Sequence, residues 1–191
     1  MQYVLASASP RRKQLLAELI SEFEIIPSQA DESAENLSPR ALVCELAERK
    51  AKEVALRAEN EGKIVIGSDT VVAFGEKVLG KPTDAQDAFR MLNMLSGKAH
   101  AVYTGVCLAY NAGGELRVMT AADKTAVHFE TLDENWIWEY VRGGSPMDKA
   151  GAYGIQDGGL VKRIEGSYTN VVGFPVELVK VLLKNAEKEW I

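Results

Sequence analysis

The sequence has few residues that could crosslink the chain or bind zinc. Its two cysteines, Cys44 and Cys107, lie alone in apolar segments, which predicts free buried thiols rather than a disulfide. Its two histidines, His100 and His128, lie far apart in strand patterns with no Cys/His cluster around them. This favours ordinary strand residues over zinc ligands.

Long apolar runs are also missing. The apolar run after Met1 is about four residues, shorter than the core of a signal peptide. No segment approaches the roughly 20 apolar residues of a membrane span. The net charge of −5 argues against non-specific binding to nucleic acid or anionic lipid. These absences predict a cytoplasmic protein that binds neither nucleic acid nor membranes.

The predicted elements alternate between strands and helices, with no repeat, low-complexity segment or linker. Ser38-Pro39 begins a long amphipathic helix, and Ile64-Val65-Ile66 is typical of a strand buried on both faces. Asn111-Ala112-Gly113-Gly114 predicts a hairpin between two long strands. We therefore expect one α/β domain over residues 1–191, with a mixed, twisted sheet flanked by helices.

A basic turn follows the first strand. Ser9 can cap a helix that begins at Pro10, and the first helical turn then carries Arg11, Arg12 and Lys13. Cations oppose the helix dipole at this end unless an anion lies there. Free backbone N–H groups and guanidinium groups fit a phosphate site, whereas a solvated basic surface turn fits the pattern equally well.

Two charged residues stand out within apolar patterns. Asp69 is predicted at the carboxyl end of the buried strand, where α/β sheets bind ligands. It could bind Mg²⁺ or accept a proton from water, or simply cap a turn. Lys50 interrupts the apolar stripe of the second helix, one turn after Leu46, so it needs an anionic partner or a route to water.

Three loop residues are weaker candidates. Glu32 lies in an acidic loop, Lys81 lies between Gly80 and Pro82, and Gln156 lies in a glycine-rich segment, residues 143–159. Each is also an ordinary solvated loop residue by itself. Together with the basic turn and Asp69, they fit a polyphosphate held with a divalent metal. No Walker motif or Ser/His/Asp set is evident.

Four motifs give the chain a resemblance to the Maf family of nucleoside triphosphate pyrophosphatases, first named for inhibition of septum formation. In order, they are Ser7-Ala8-Ser9-Pro10-Arg11-Arg12, Gly67-Ser68-Asp69-Thr70, Gly80-Lys81-Pro82 and Asp148-Lys149-Ala150-Gly151-Ala152-Tyr153-Gly154-Ile155-Gln156. The resemblance covers essentially the whole chain. It implies a fold similar to inosine triphosphate pyrophosphatases, with two lobes around a central cleft.

The resemblance also implies roles for individual residues. Asp69 resembles the family's catalytic aspartate, and Glu32 matches one of its polar cleft residues. We expect Asp69 and Glu32 to be the metal ligands. The family's substrate-binding residues correspond to Ser7, Arg12, Lys50 and Lys81. Arg11, Thr70 and Gln156 match the positions that sort the family by substrate, and they resemble the dTTP/UTP branch rather than the branch that prefers 7-methyl-GTP.

The activity implied is hydrolysis of dTTP and UTP, or of modified pyrimidine nucleotides, to the monophosphate and pyrophosphate. Such an enzyme would clear nucleotide pools, and the family name suggests a link to septum formation. The implied cofactor is Mg²⁺, with Mn²⁺ or Co²⁺ as alternatives, and the implied assembly is a homodimer. The alternative is a regulator of septum formation that binds a nucleotide without turning it over.

Overall fold

Three long strands form the centre of a seven-stranded mixed sheet in the computed structural model, which describes residues 1–190. The strands run in the order β2-β1-β3-β5-β6-β7, and β4 pairs with β3 beside this path. Their bounds are β1 Tyr3–Leu5, β2 Glu24–Ile25, β3 Ile64–Phe74, β4 Lys77–Leu79, β5 Ala99–Ala112, β6 Glu115–Phe129 and β7 Val161–Glu165. β1 is parallel to β2 and β3, and the other pairs are antiparallel, which confirms the predicted mixed sheet.

Helices cover both faces of this sheet. Their bounds are α1 Pro10–Ala17, α2 Pro39–Ala55, α3 Ala85–Leu95, α4 Glu134–Arg142, α5 Tyr168–Val172 and α6 Val176–Trp190. Ser9 and Ser38 cap α1 and α2 through their side chains, and each helix has proline in its first turn, as the sequence predicts. The helix α5 was not predicted. Within residues 1–190, no helix combines the length and the apolar character needed to cross a membrane.

The backbone of α2 lies directly on the sheet. A Cβ on Gly67 would lie 2.3 Å from the carbonyl oxygen of Ala47, and one on Gly105 would lie 2.1 Å from that of Val43. Such distances are far inside van der Waals contact, so only glycine fits at either position. The two glycines thereby set how closely α2 approaches β3 and β5.

The apolar core divides into clusters at the two ends of the long strands. At one end, Leu92 of α3 and Ile137 of α4 pack with Val72. At the other, Leu183 of α6 packs with Ile66 on one face, while α2 covers the opposite face. The cluster boundary lies near the middle of β3, between the two halves of the predicted two-lobed arrangement.

The predicted position of Asp69 at the end of a strand is wrong. β3 continues without a break from Ile64 to Phe74, and β5 pairs with residues 64–73 of it. The segment Gly67–Thr70 has the composition of a turn, but ladder pairing with β5 holds it extended. Asp69 therefore lies in the middle of β3.

Candidate active site

A gap in the sheet exposes one edge of β3 around Asp69. β1 pairs with residues 64–66 of β3, and β4 pairs with residues 72–74. β1 and β4 share one edge, because β5 occupies the other edge. Residues 67–71 have neither neighbour on the shared edge, and we call this gap the notch. Although Asp69 is in the middle of its own strand, it lies beside the carboxyl end of β1.

The notch presents different side chains to the two faces of the sheet, because successive strand residues point in opposite directions. Val65 and Val71 pack against the α2 side, so Asp69 faces α2 as well. Ser68 and Thr70 face the other side, where both contact the carbonyl oxygen of Gly173.

On the α2 side, one ammonium group joins two carboxylates. Lys50 Nζ lies 2.7 Å from Asp69 Oδ1 and 2.9 Å from Glu32 Oε1. Lys50 and Asp69 are mostly buried, whereas the side chain of Glu32 is 65% exposed. The lysine therefore has the anionic partner that its place in an apolar stripe requires. Within residues 1–190, Asp69 Oδ2 has no hydrogen-bond partner, so it remains available to a ligand.

On the opposite side, the Arg12 guanidinium bridges α1, β3 and the end of α5. It donates to the carbonyl oxygens of Ser68 at 2.7 Å and Gly173 at 3.0 Å, and to the hydroxyl oxygens of Ser7 at 3.3 Å and Thr70 at 3.2 Å. Burial lowers the pKa of Arg12, and Asp69 partly opposes this effect. Of the five guanidinium N–H groups, one on Nη2 remains for a further acceptor.

The start of α1 closes this side of the notch. Ser7 Oγ accepts hydrogen bonds from the Ser9 backbone N–H and from Arg12, and Ser9 Oγ accepts one from the Arg12 backbone N–H. Because Ser7 only accepts in these contacts, its own proton is free for a ligand. The basic turn thus makes several bonds within the protein, while the Ser7 hydroxyl proton and one Arg12 N–H group remain for a ligand.

Arg11 makes a different contact. Its Nη1 lies 3.5 Å from Asp148 Oδ2, and Lys149 Nζ lies 2.9 Å from the other oxygen of Asp148. Asp148 belongs to the glycine-rich segment, so this ion pair joins α1 to that segment across the molecule. The two predicted arginines therefore have separate surroundings.

Lys81 and Gln156 are exposed residues that the structure of residues 1–190 does not join to either side of the notch. Lys81 follows β4, and the preceding residue, Gly80, accepts a hydrogen bond from the Gly151 backbone N–H at 3.0 Å. Gln156 lies in a short 3₁₀ turn. Both side chains are exposed and make no hydrogen bond within the described residues. The structure thus joins Ser7, Arg12 and Thr70 in one group and Glu32, Lys50 and Asp69 in another.

Three contributors were not predicted: the carbonyl oxygen of Gly173, the hydroxyl of Thr104 and the carboxylate of Asp148. Thr104 lies opposite Thr70 on β5, with 3.0 Å between the two hydroxyl oxygens. Gly173 ends α5 with a φ of 109°, and a glycine that follows a serine cap, Ser167, is the local signal that could have identified it as a helix end.

The arrangement combines cations from two helices, Arg12 of α1 and Lys50 of α2, with the carboxylates of Asp69 and Glu32. Within residues 1–190, no group of three or more metal-binding side chains occurs. Mg²⁺ is nevertheless commonly bound by one or two carboxylates together with phosphate oxygens of a substrate. Asp69 and Glu32 already converge on one cation, so this donor set fits a Mg²⁺ that arrives with a polyphosphate.

Comparisons with known proteins agree on a family. The family model described as "Maf-like protein" matches residues 2–186. A dTTP/UTP pyrophosphatase of Thermococcus kodakarensis is 53% identical over 178 residues, covering 92% of each chain. A dTTP/UTP pyrophosphatase of Clostridium tetani is 43% identical over 188 residues, covering 96% of this chain and 97% of the relative. The solved structure of the Staphylococcus aureus Ham1 protein shares the fold, with a TM-score of 0.55 at 14% identity over 97% of this chain and 99% of that one.

Proposed function

The chain belongs to the family of Maf-like proteins, and on this basis we propose that it hydrolyses dTTP and UTP to the nucleoside monophosphate and pyrophosphate. The observation that carries the proposal is the notch, which holds a Lys50-linked pair of carboxylates on one side and Arg12 on the other. An acidic pair beside basic groups is the composition that a metal-bound polyphosphate requires.

The triphosphate binds along the notch in this proposal. Lys50 and Lys81 neutralise its oxygens, Ser7 donates its hydroxyl proton, and Arg12 donates its remaining N–H group. Lys50 then exchanges part of its contact with Asp69 and Glu32 for phosphate. Charge neutralisation by positioned donors is the main source of catalysis in phosphoryl transfer.

Water attacks the α-phosphorus, and the bond to the bridging oxygen breaks, so that pyrophosphate leaves. Asp69 accepts the proton of the attacking water through its free oxygen, Oδ2. Asp69 and Glu32 are also the residues that would hold Mg²⁺, with Mn²⁺ or Co²⁺ as alternatives. When bound, the ion would neutralise charge on the phosphates.

Substrate choice is assigned to Arg11, Thr70 and Gln156. Gln156 offers an amide donor and acceptor that can pair with a pyrimidine edge. Thr70 lies on the Arg12 side of the notch. Arg11 lies between the notch and the glycine-rich segment that carries Gln156. The proposed reading of the base thus uses residues separate from those that bind phosphate.

The proposed working form is a cytoplasmic homodimer. Cys44 and Cys107 are free thiols, which suits a reducing compartment.

The direct test measures pyrophosphate release by the purified chain from dTTP, UTP, ATP and 7-methyl-GTP. We expect release from dTTP and UTP with Mg²⁺, at least about tenfold lower kcat/KM for 7-methyl-GTP, and loss of activity after chelation of the metal. Release of orthophosphate instead would contradict attack at the α-phosphorus. Tight binding of dTTP without turnover would favour the regulator.

A further inference from the structure

β6 has a long free edge. Its inner edge pairs with β5 from Glu115 to His128, whereas β7 pairs only with residues 126–129 at its outer edge. Within residues 1–190, no strand pairs with the outer edge of residues 115–124. An edge of this length is a template for another strand unless something covers it.

The turn between β5 and β6 determines which backbone groups face outward. Gly113 and Gly114 form a two-residue turn with φ values of 59° and 81°, so Ala112 and Glu115 are a hydrogen-bonded pair. Odd-numbered residues of β6 therefore bond to β5, and even-numbered residues point their N–H and C=O groups outward. These are Leu116, Val118, Thr120, Ala122 and Lys124. The Lys124 N–H donates to the carboxylate of the adjacent Asp123 at 2.7 Å, as expected for an outward group without a strand partner.

We propose that β6 pairs antiparallel with β6 of a second copy of this chain, about a two-fold axis at Thr120. This register uses the whole free stretch, because residue 116 then lies opposite residue 124 of the second copy. All outward backbone groups of the stretch gain partners, and the two sheets become one.

The side chains of this stretch are complementary to themselves in that register. Arg117 lies directly opposite Asp123 of the second copy, and both point to the same face because both are odd-numbered. The pair is not hydrogen-bonded through the backbone, which brings its side chains closest. Val118, 38% exposed, lies opposite Ala122, and the two-fold axis forms each contact twice.

Neighbouring registers lack this match. An axis at Met119 places Glu115 opposite Asp123, which sets two negative charges against each other. An axis at Ala122 extends the pairing into residues 126–128, which β7 already occupies. An axis at Val118 extends it into the Gly113–Gly114 turn. Among these four registers, the one at Thr120 fits both the charges and the available length.

The inference rests on the proposed homodimer and specifies its contact surface. A charge-exchange experiment tests it by sedimentation equilibrium of the full chain. We expect Arg117→Asp and Asp123→Arg each to weaken dimerisation about tenfold or more, and the double variant to restore it. The two residues lie about 20 Å apart on one strand, so rescue cannot arise within a single copy.

Val118→Pro is the second arm, because it removes an outward N–H group while the bonds to β5 remain. We expect it to give a monomer with an unchanged far-UV spectrum. The control is Arg163→Asp, the same charge change on β7, which should leave the dimer intact. A monomeric wild-type chain, a dimer that resists all these variants, or single losses without rescue by the double variant would overturn the proposal. Pyrophosphate release on the same samples reports the proposed activity separately.

Discussion

Two polar clusters interrupt the apolar interior, and they differ in what holds them. The charged cluster, Glu32, Lys50 and Asp69, is held by contacts between side chains and opens to the notch. The neutral cluster, Thr104, Thr125 and Asn170, is fully buried. The Asn170 amide donates to the Val102 carbonyl and to Thr125, while Thr104 donates to the Asn170 carbonyl.

We therefore expect the charged cluster to affect activity and the neutral cluster to affect stability. A ligand that enters the notch can compete for Lys50 or Asp69, because it exchanges one charged contact for another. Nothing can compete for the Asn170 bonds, because they join buried groups, two of them backbone carbonyls, that a ligand does not reach. The neutral cluster pins α5 to β5 and β6, and the end of α5 places Gly173 against Arg12. The neutral cluster thus fixes the position of Gly173, which accepts a hydrogen bond from Arg12 beside the notch.

The largest expected effect is on catalysis, from Asp69→Asn. The amide keeps the shape of the carboxylate and still accepts a hydrogen bond from Lys50, but it cannot take a proton from water. We expect kcat for pyrophosphate release from dTTP to fall about 10³-fold. The melting temperature should stay within about 5 °C of the wild type, measured by calorimetry.

Glu22→Gln is the control for this prediction, since it makes the same change from carboxylate to amide on an exposed loop. Activity near the wild-type level in Asp69→Asn would remove the charged cluster from the mechanism. A large loss of stability without a loss of specific activity would show that the charged cluster stabilises the fold and does not take part in catalysis.

The next effect is on folding, from Asn170→Ala. The substitution removes two hydrogen bonds and takes the amide out of a fully buried position, so we expect the free energy of unfolding to fall by about 2–3 kcal/mol. Urea denaturation measures this change. Asn135→Ala, the same substitution at an exposed position of α4, should change it by less than about 0.5 kcal/mol. Equal small losses in both variants would contradict a structural role for the neutral cluster.

The place of Lys50 in the charged cluster was predictable because this residue violates a local pattern. Lys50 lies where an apolar residue would pack, so the sequence alone requires an anion near it. The serine caps and the glycine hairpin were also predictable. The serine side chains accept hydrogen bonds from backbone N–H groups at the helix starts, and the glycines adopt the positive φ angles of the turn.

The rest depends on tertiary contacts that local patterns do not record. Gly67 lies in a continuous strand, where the absence of a side chain leaves room for the backbone of α2. The residues around it nevertheless have the composition of a turn. Asp69 therefore lies beside the end of β1 rather than at the end of its own strand. Asn170 is buried by two strands about 45 and 68 residues away, and nothing next to it marks it as a core residue.

The smallest effect concerns a second closed polar group, His100. Its Nε2 lies 2.7 Å from the Tyr153 hydroxyl, and Phe129 packs edge-on against its ring at 4.8 Å between centroids. Burial, with a smaller contribution from His128, lowers the pKa of His100 from 6.5 to about 4. The unfolded chain therefore binds a proton between these values that the folded chain does not, and stability falls as the pH falls through this range.

His100→Gln removes this titration. Wild-type unfolding free energy, measured by urea denaturation from pH 6.5 to 4.5, should fall more steeply than that of the variant, by up to about 1.4 kcal/mol per pH unit. The comparison of slopes cancels the acid titration of the carboxylates and does not depend on the variant's absolute stability. Parallel curves would mean that His100 is protonated in the folded protein. In that case the interior around His100 would hold a charge, and it would not differ from the notch in this respect.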